Sequence, residues 1–160
     1  MSTLAVRPAL PQDEIFLYDL YIAVRGPLFA QAPMSAAQRD ELLRMQCRAQ
    51  MASYAHQFPN SCYHLILLDG NPVGRLWVAP GEQEWVLVDI AIHPSRQSKG
   101  LGAAVVQQVQ REAEKVKRPI RSTVDRFDTG SLRFHQRLGF QIVREDMIQY
   151  YMEWQPLLIG

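Results

Sequence analysis

The chain has 160 residues, 48% of them hydrophobic, a length that suits one domain spanning residues 1–160 with a substantial core and is short for two. Seventeen Lys and Arg against sixteen Asp and Glu leave a formal charge of +1, so no global charge signal points to nucleic acid or an anionic membrane as partner. Cys47 and Cys62, and the scattered His56, His64, His93 and His135, lack metal-ligand spacing, so no metal is expected and the thiols read as free. The first residues carry no basic stretch followed by an apolar run, and no apolar segment approaches membrane-spanning length; a cytoplasmic protein is the expectation.

In chain order, Leu4 to Arg7 alternates weakly and predicts a first strand, closed by Pro8 and Pro11. Asp13 to Val24 predicts a helix with Ile15, Leu17, Tyr18, Tyr21 and Ile22 as its apolar positions, stopped by Gly26-Pro27. Leu28 to Met34 has no period and reads as a loop. Ser35-Ala36-Ala37-Gln38 is a capping-box pattern, and behind it Leu42, Met45, Ala49 and Ala52 recur at spacings of three and four on a long helix ending near Phe58-Pro59. From Cys62 the period changes. Tyr63 to Leu68 and Val73 to Val78 predict a hairpin around Asp69-Gly70-Asn71, and Glu84 to Ile92 a third strand after the turn at Ala79-Pro80-Gly81. Leu101, Val105, Val109, Ala113 and Val116 then mark one stripe of a helix stopped by Pro119. Ile120 to Val124 follows that helical crossover and is expected parallel to the preceding strand. Asp128 or Thr129 caps a shorter helix through Leu138, Gly139 ends it, and Phe140 to Val143 and Ile148 to Trp154 predict two closing strands.

The stretch with the strongest chemical content runs from Val88 to Val105, where an apolar strand meets a basic, glycine-containing turn and then a helix. Such a junction leaves backbone N–H groups without partners and puts the positive end of the helix dipole at the turn, a natural anion site. Arg96 and Lys99 stand where cations are mildly unfavourable, and no acidic residue follows until Glu112. A solvated basic loop would carry the same charges, so the anion reading needs the motif. The Walker loop is excluded because Lys99 precedes Gly100, and the dinucleotide fingerprint is weak because its third glycine position is Val105 and the preceding strands read as antiparallel.

Gln97-Ser98-Lys99-Gly100-Leu101-Gly102, led in by Ile92-His93-Pro94, resembles the acetyl-CoA-binding motif of the GCN5-related N-acetyltransferase (GNAT) superfamily. Leu132-Arg133-Phe134-His135-Gln136-Arg137-Leu138-Gly139-Phe140 is similar to that family's later helix, and the order of elements agrees over nearly the whole chain. The resemblance implies a mixed α/β (α+β) fold, a mostly antiparallel sheet of about seven strands with about four helices and two central strands splayed apart. It implies acetyl-CoA as acyl donor and an amine acceptor of a small molecule, peptide or protein. By the resemblance, backbone groups of Gln97, Ser98, Lys99, Gly100, Leu101, Gly102 and Ala103, beside Arg96, would cradle the pyrophosphate. Ile90, Ala91 and Ile92 would flank the thioester, a backbone N–H there stabilising the oxyanion when the amine attacks.

The sequence also departs from the family's pattern. His135 stands where a Tyr commonly protonates the leaving thiolate; it reads either as that acid or as a packing or cofactor-bonding group. Asp128 and Ser131 stand where the family has a cofactor-side Asn and Ala and by the resemblance are cofactor-binding candidates, although Asp128 reads first as a helix cap. The usual general-base positions fall on Val86 and Val88, leaving Asp89, Glu84, His93 and Asp125 as candidates. Asp89 is an acid within an apolar strand, either a base or a group held by Arg75 in an ion pair. A CoA-binding module without chemistry is the alternative. Arg25, Gln31, Gln46, Gln50, Tyr54, Gln149 and Tyr151 are acceptor-side candidates. Many members of the superfamily are homodimers, so self-association is a further expectation, with Trp154 read first as a core residue and second as an interface residue.

Overall fold

The computed structural model describes residues 2–157. The four helices are α1 (Glu14–Arg25), α2 (Ala36–Gln57), α3 (Leu101–Lys115) and α4 (Thr129–Arg137). The strands are β1 (Leu4–Pro8), β2 (Cys62–Leu68), β3 (Asn71–Ala79), β4 (Trp85–Ile92), β5 (Ile120–Asp125), β6 (Gln141–Glu145) and β7 (Gln149–Trp154). They form one seven-stranded sheet in the order β1-β2-β3-β4-β5-β7-β6, the mixed α+β architecture that the element order predicts. The chain divides into two compact units, Met1–Trp77 with Asp89–Lys99, and Val78–Val88 with Gly100–Gly160.

In the first unit β1 lies antiparallel to β2, Leu4 opposite Leu68 and Pro8 opposite His64. The β2–β3 turn is Asp69-Gly70, with φ of 51° and 83°. Positive φ at both central residues is the hairpin turn whose twist matches the strands it joins. Helix α2 begins with the predicted capping box: Ser35 Oγ accepts from the Gln38 N–H at 3.1 Å, and Gln38 Oε1 accepts from the Ser35 N–H at 2.9 Å. Two N–H groups that the helix start would leave bare are satisfied this way.

The predicted stripe of α2 is off by one position. Leu43 and Cys47, not Leu42, Met45, Ala49 and Ala52, are the fully buried residues, clustered with Tyr21 and flanked by Tyr18, Ile22, Phe29 and Met51. Met45 is 59% exposed. Leu42 and Leu43 fit the same period shifted by 100°, and the deciding residue is Cys47, a small hydrophobe whose Sγ lies 3.8 Å from Met51 Sδ. The segment expected as a loop opens with a 3-10 turn at Gly26–Phe29, which Pro27 favours because its missing N–H is not needed there.

In the second unit Val105, Val109 and Ala113 of the predicted α3 stripe are buried together with Val106, whereas Val116 lies beyond the helix and is exposed. Strand β5 is parallel to β4 over Trp85↔Ile120 and Val86↔Arg121, with the Trp85 N–H donating to the Pro119 carbonyl at 2.8 Å. That ladder ends after Val86, while β5 continues antiparallel to β7 as far as Asp125↔Gln149. Trp154 is half-buried, its Cδ1 3.4 Å from where a Cβ at Gly139 would stand. No helix among the described residues is long and apolar enough to cross a membrane, and none of them form a cluster of three or more His, Cys, Asp or Glu that could hold a metal.

Candidate functional site

The turn between β4 and α3 is built by local hydrogen bonds that leave its outer face open. His93 caps a 3-10 turn at Pro94–Arg96, its Nδ1 accepting from the Ser95 N–H at 3.2 Å and meeting Ser95 Oγ at 2.8 Å. The Gln97 amide donates to the Ile92 carbonyl at 3.0 Å, tying the turn back to the strand end. Ser98 and Gly100 both have left-handed backbone, φ of 67° and 74°. For a serine that conformation costs about 1 kcal/mol or more, strain of the kind that gathers at ligand sites.

Gly100 caps α3 with no side chain to offer, and the first turn of the helix holds no acidic residue. The ladder of α3 opens with the Ala104 N–H donating to the Gly100 carbonyl at 3.0 Å. Helix geometry therefore leaves the N–H groups of Leu101, Gly102 and Ala103 without intrahelical acceptors. Residues 94–100 are all exposed, and neither Arg96 nor Lys99 joins an ion pair among the described residues. A fifteen-residue helix whose N-terminus has no side-chain cap can bind an anion there.

Upstream in the first unit, Ile90 and Ala91 are half-buried and Ile92 is buried. Gly74 on β3 lets the strand pass close to this segment: a Cβ there would collide with the Ala91 carbonyl oxygen and sit 2.9 Å from Ile92 Cδ1. Asp89 forms an ion pair with Arg75, Nε to Oδ2 at 2.6 Å, the structural alternative the sequence offered for it. The Asp89 side chain keeps 20% of its surface exposed, against 6% for Arg75. Gln50 Oε1 accepts from Arg75 Nη2 at 3.3 Å, and Tyr21 and Tyr63 stand nearby, so Arg75, Tyr21 and Tyr63 join the sequence candidates Gln50 and Tyr54 in one cluster. Arg25 lies over the outer part of the same group, 5.6 Å from the Tyr21 ring centre, whereas Gln31 and Gln46 are simply exposed.

The other acid candidates are engaged elsewhere. Glu84 pairs with Arg121 at 2.9 Å, and Asp125 Oδ1 accepts from the Phe127 N–H at 2.8 Å.

In the second unit His135 is 5% exposed. Its Nδ1 is 2.8 Å from the Ser131 carbonyl, which can only accept, so Nδ1 carries the proton. Its Nε2 is 3.1 Å from Ser122 Oγ on β5, and the rings of Phe134 and Phe140 pack edge-on at 5.5 and 5.3 Å. Burial pushes its pKa below the usual imidazole value, partly opposed by the Ser131 carbonyl and by Asp128, so the ring is neutral at pH 7. Asp128 caps α4, its Oδ1 accepting from the Ser131 N–H at 2.9 Å. Gln149 and Tyr151 are half-buried on β7, and the Tyr151 hydroxyl donates to Asp146 Oδ2 at 2.8 Å.

Residues 28–140 match the family described as "Acetyltransferase (GNAT) family". No curated protein matches the chain in sequence. Among solved structures, the PaiA N-acetyltransferase of Thermoplasma acidophilum in complex with coenzyme A is 13% identical, covers 96% of this chain and 99% of its own, and superposes with a TM-score of 0.73. An acetyltransferase of Thermus thermophilus is 21% identical with 97% of both chains covered and a TM-score of 0.70. The ribosomal-protein-S18-alanine N-acetyltransferase of Escherichia coli is 16% identical over 99% of this chain and 97% of its own, with a TM-score of 0.67. With the family's sequence pattern spanning more than half of its length and its fold shared across nearly all of it, this chain belongs to the GNAT family of acetyltransferases.

Proposed function

We propose that the protein is an acetyl-CoA-dependent N-acetyltransferase that moves an acetyl group to a primary amine of a small molecule, peptide or protein. The observation that carries the reading is the N-terminus of α3, which has no side-chain cap and leaves the N–H groups of residues 101–103 without partners among the described residues; the cations Arg96 and Lys99 precede it in the chain and join no ion pair among those residues. A pyrophosphate satisfies both. Coenzyme A bound to the PaiA N-acetyltransferase of the same fold supports the choice of anion.

In this reading residues 97–103 hold the pyrophosphate, and the backbone of Ile90, Ala91 and Ile92 lies along the pantetheine arm and thioester. The thioester supplies the activated carbonyl. The amine nitrogen attacks its carbon, the C–S bond breaks, the thiolate leaves, and the proton shed by the nitrogen goes to a base. Asp89 takes that role because, of the four acid and base candidates, it is the carboxylate in the strand that carries the proposed thioester-flanking segment, and its side chain keeps 20% of its surface exposed. His135, enclosed and with both nitrogens engaged, holds β5 against α4 in this reading and leaves protonation of the thiolate to solvent. Asp128 and Ser131 stand at the start of α4, where Asp128 serves as cap.

The enclosure of His135 and the pairing of Asp89 also favour a second reading, a module that binds acyl-CoA without chemistry. Calorimetry with acetyl-CoA and CoA tests the shared part: no heat at millimolar ligand would remove both readings. Thiol release from acetyl-CoA across a panel of amino acids, polyamines, aminoglycosides and peptides separates them, since turnover above the rate without amine excludes the module.

A further inference from the structure

Arg75 is a cation inside the first unit, held on three sides. Its Nε lies 2.6 Å from Asp89 Oδ2, yet the Nε–H is not lined up to make a hydrogen bond, so the contact is one of charge. Its Nη2 donates to Gln50 on α2, and its guanidinium carbon sits 5.6 Å from the centre of the Tyr21 ring on α1. A planar guanidinium fixed by a carboxylate, an amide and an aromatic face has little freedom to turn.

Tyr63, Tyr54 and Cys47, the acidic side chains buried beside the pair, are neutral at pH 7. Burial pushes the Tyr63 hydroxyl on β2 up to about 12, and burial first, then the Asp89 charge, raises Tyr54 on α2. Burial likewise raises the Cys47 thiol on α2, with Arg75 acting in the opposite direction. Arg25 of α1 acts on Tyr54 from the outer side. Asp89 is therefore the one anion of this cluster, and Arg75 the cation in contact with it.

We propose that Arg75 is a positioning residue for the acetyl transfer: it holds the Asp89 carboxylate in place through Oδ2, so that the carboxylate can take the proton from the attacking amine. The proposal rests on the reading of Asp89 as base. Physically, a fixed cation favours the charged carboxylate against the desolvation that a strand interior imposes, and Arg cannot neutralise itself to escape the site. The neutral amide of Gln50 on the far side of the guanidinium sets its orientation without competing for its charge. A lysine in place of Arg75 would keep the charge and lose the planar fork that reaches β4 and α2 together.

Carbon NMR of protein labelled at the aspartate carboxyl carbons tests this without an acceptor, the Asp89 resonance being assigned by its loss in D89N. In R75M the Asp89 carboxyl resonance at pH 7 is expected to move away from its parent position, and in R75K to stay near it. Because R75M strips a buried ion pair of one partner and could fail to fold, the Nε resonance of Arg75 is followed in the parent protein as well. It is expected to move in D89N, which removes the charge paired with it. An Arg75 Nε resonance unchanged in D89N, or an Asp89 carboxyl resonance unmoved in folded R75M, overturns the positioning role. Failure of the base reading looks different: D89N would keep the parent kcat/KM for the fastest amine of the panel while the NMR coupling between the two side chains persisted.

Discussion

Gly74→Ala isolates one contact between a strand and the segment proposed to flank the thioester. The added methyl would collide with the Ala91 carbonyl oxygen, sit 2.9 Å from Ile92 Cδ1 and 3.3 Å from Ile66 Cδ1. The two isoleucine methyls are ends of flexible side chains and can turn away. The carbonyl is backbone, and β3 and β4 must part there by a substantial fraction of an ångström to restore an ordinary C···O separation of about 3.3 Å. Overpacking of this kind costs about 1–3 kcal/mol. Replacing glycine stiffens the unfolded chain and returns about 0.4–1 kcal/mol. The net loss of about 1–2 kcal/mol corresponds, for a chain of this size, to a fall in Tm of about 2–8 °C. Since Ala91 lies in the proposed pantetheine-binding segment, calorimetry should also find acetyl-CoA bound about tenfold more weakly, a further 1.4 kcal/mol or so. A melting scan and a titration on the same preparation decide it. A G74A protein with the parent Tm and the parent affinity would refute both the close approach and the placement of Ala91 at the donor site.

Reversing one turn charge by Lys99→Glu should weaken CoA binding by roughly tenfold at low salt, about 1.4 kcal/mol, with the gap narrowing as ionic strength shortens the Debye length; titrations at two salt concentrations measure it. Ser35→Ala removes the side-chain half of the α2 capping box and should cost about 1 kcal/mol, read as a fall in Tm of about 2–4 °C with CoA affinity unchanged. His135 has a folded-state pKa below its unfolded value of about 6.5, so the unfolded chain binds more protons below that pH, and its contribution to stability is present above about pH 6.5 and is lost as the pH falls further. Asp13, held at about 2 first by Arg7 and then by the Leu10 N–H, acts in a second window: its contribution fades as the pH drops from about 4 towards 2. Melting curves from pH 8 to pH 2 should show both segments, with D13N removing the lower one and leaving the upper.

What the sequence shows of this fold is carried by local signals with a steric or hydrogen-bonding cause. The Ser35 to Gln38 box, the Asp69-Gly70 turn, the proline after α3 and the Asp128 cap each act within four residues, and each is found where its pattern puts it. The parallel pairing of β5 with β4 follows from the intervening helix, another consequence of chain order. Misplacement begins where two patterns are equally periodic. Leu42 and Leu43 are adjacent, and reading Cys47 as a thiol rather than a small hydrophobe turns the predicted face of α2 by one residue. The site divides along the same line. Residues 97–103 are contiguous, so a turn built from them can be read along the chain. The cluster around Asp89 draws Arg75, Gln50, Tyr21 and Tyr63 from four other elements, and the enclosure of His135 depends on Ser122 thirteen positions earlier.

The two halves of the proposed chemistry place opposite demands on the backbone and the side chains. At the start of α3 the structure leaves polar groups unsatisfied and a serine in left-handed conformation, features that lower the stability of the free protein and that a bound polyanion would offset. Around Asp89 the cation is already in place, and an isolated carboxylate in a strand interior would otherwise be driven towards its neutral form. A ligand can complete the first kind of site, whereas a base must be completed beforehand by the protein, because it has to be ionised before the amine arrives. Saturating CoA should accordingly raise the Tm of the parent protein and of R75K by equal amounts. A smaller rise in R75K would mean that Arg75 belongs to the donor site and not to the base.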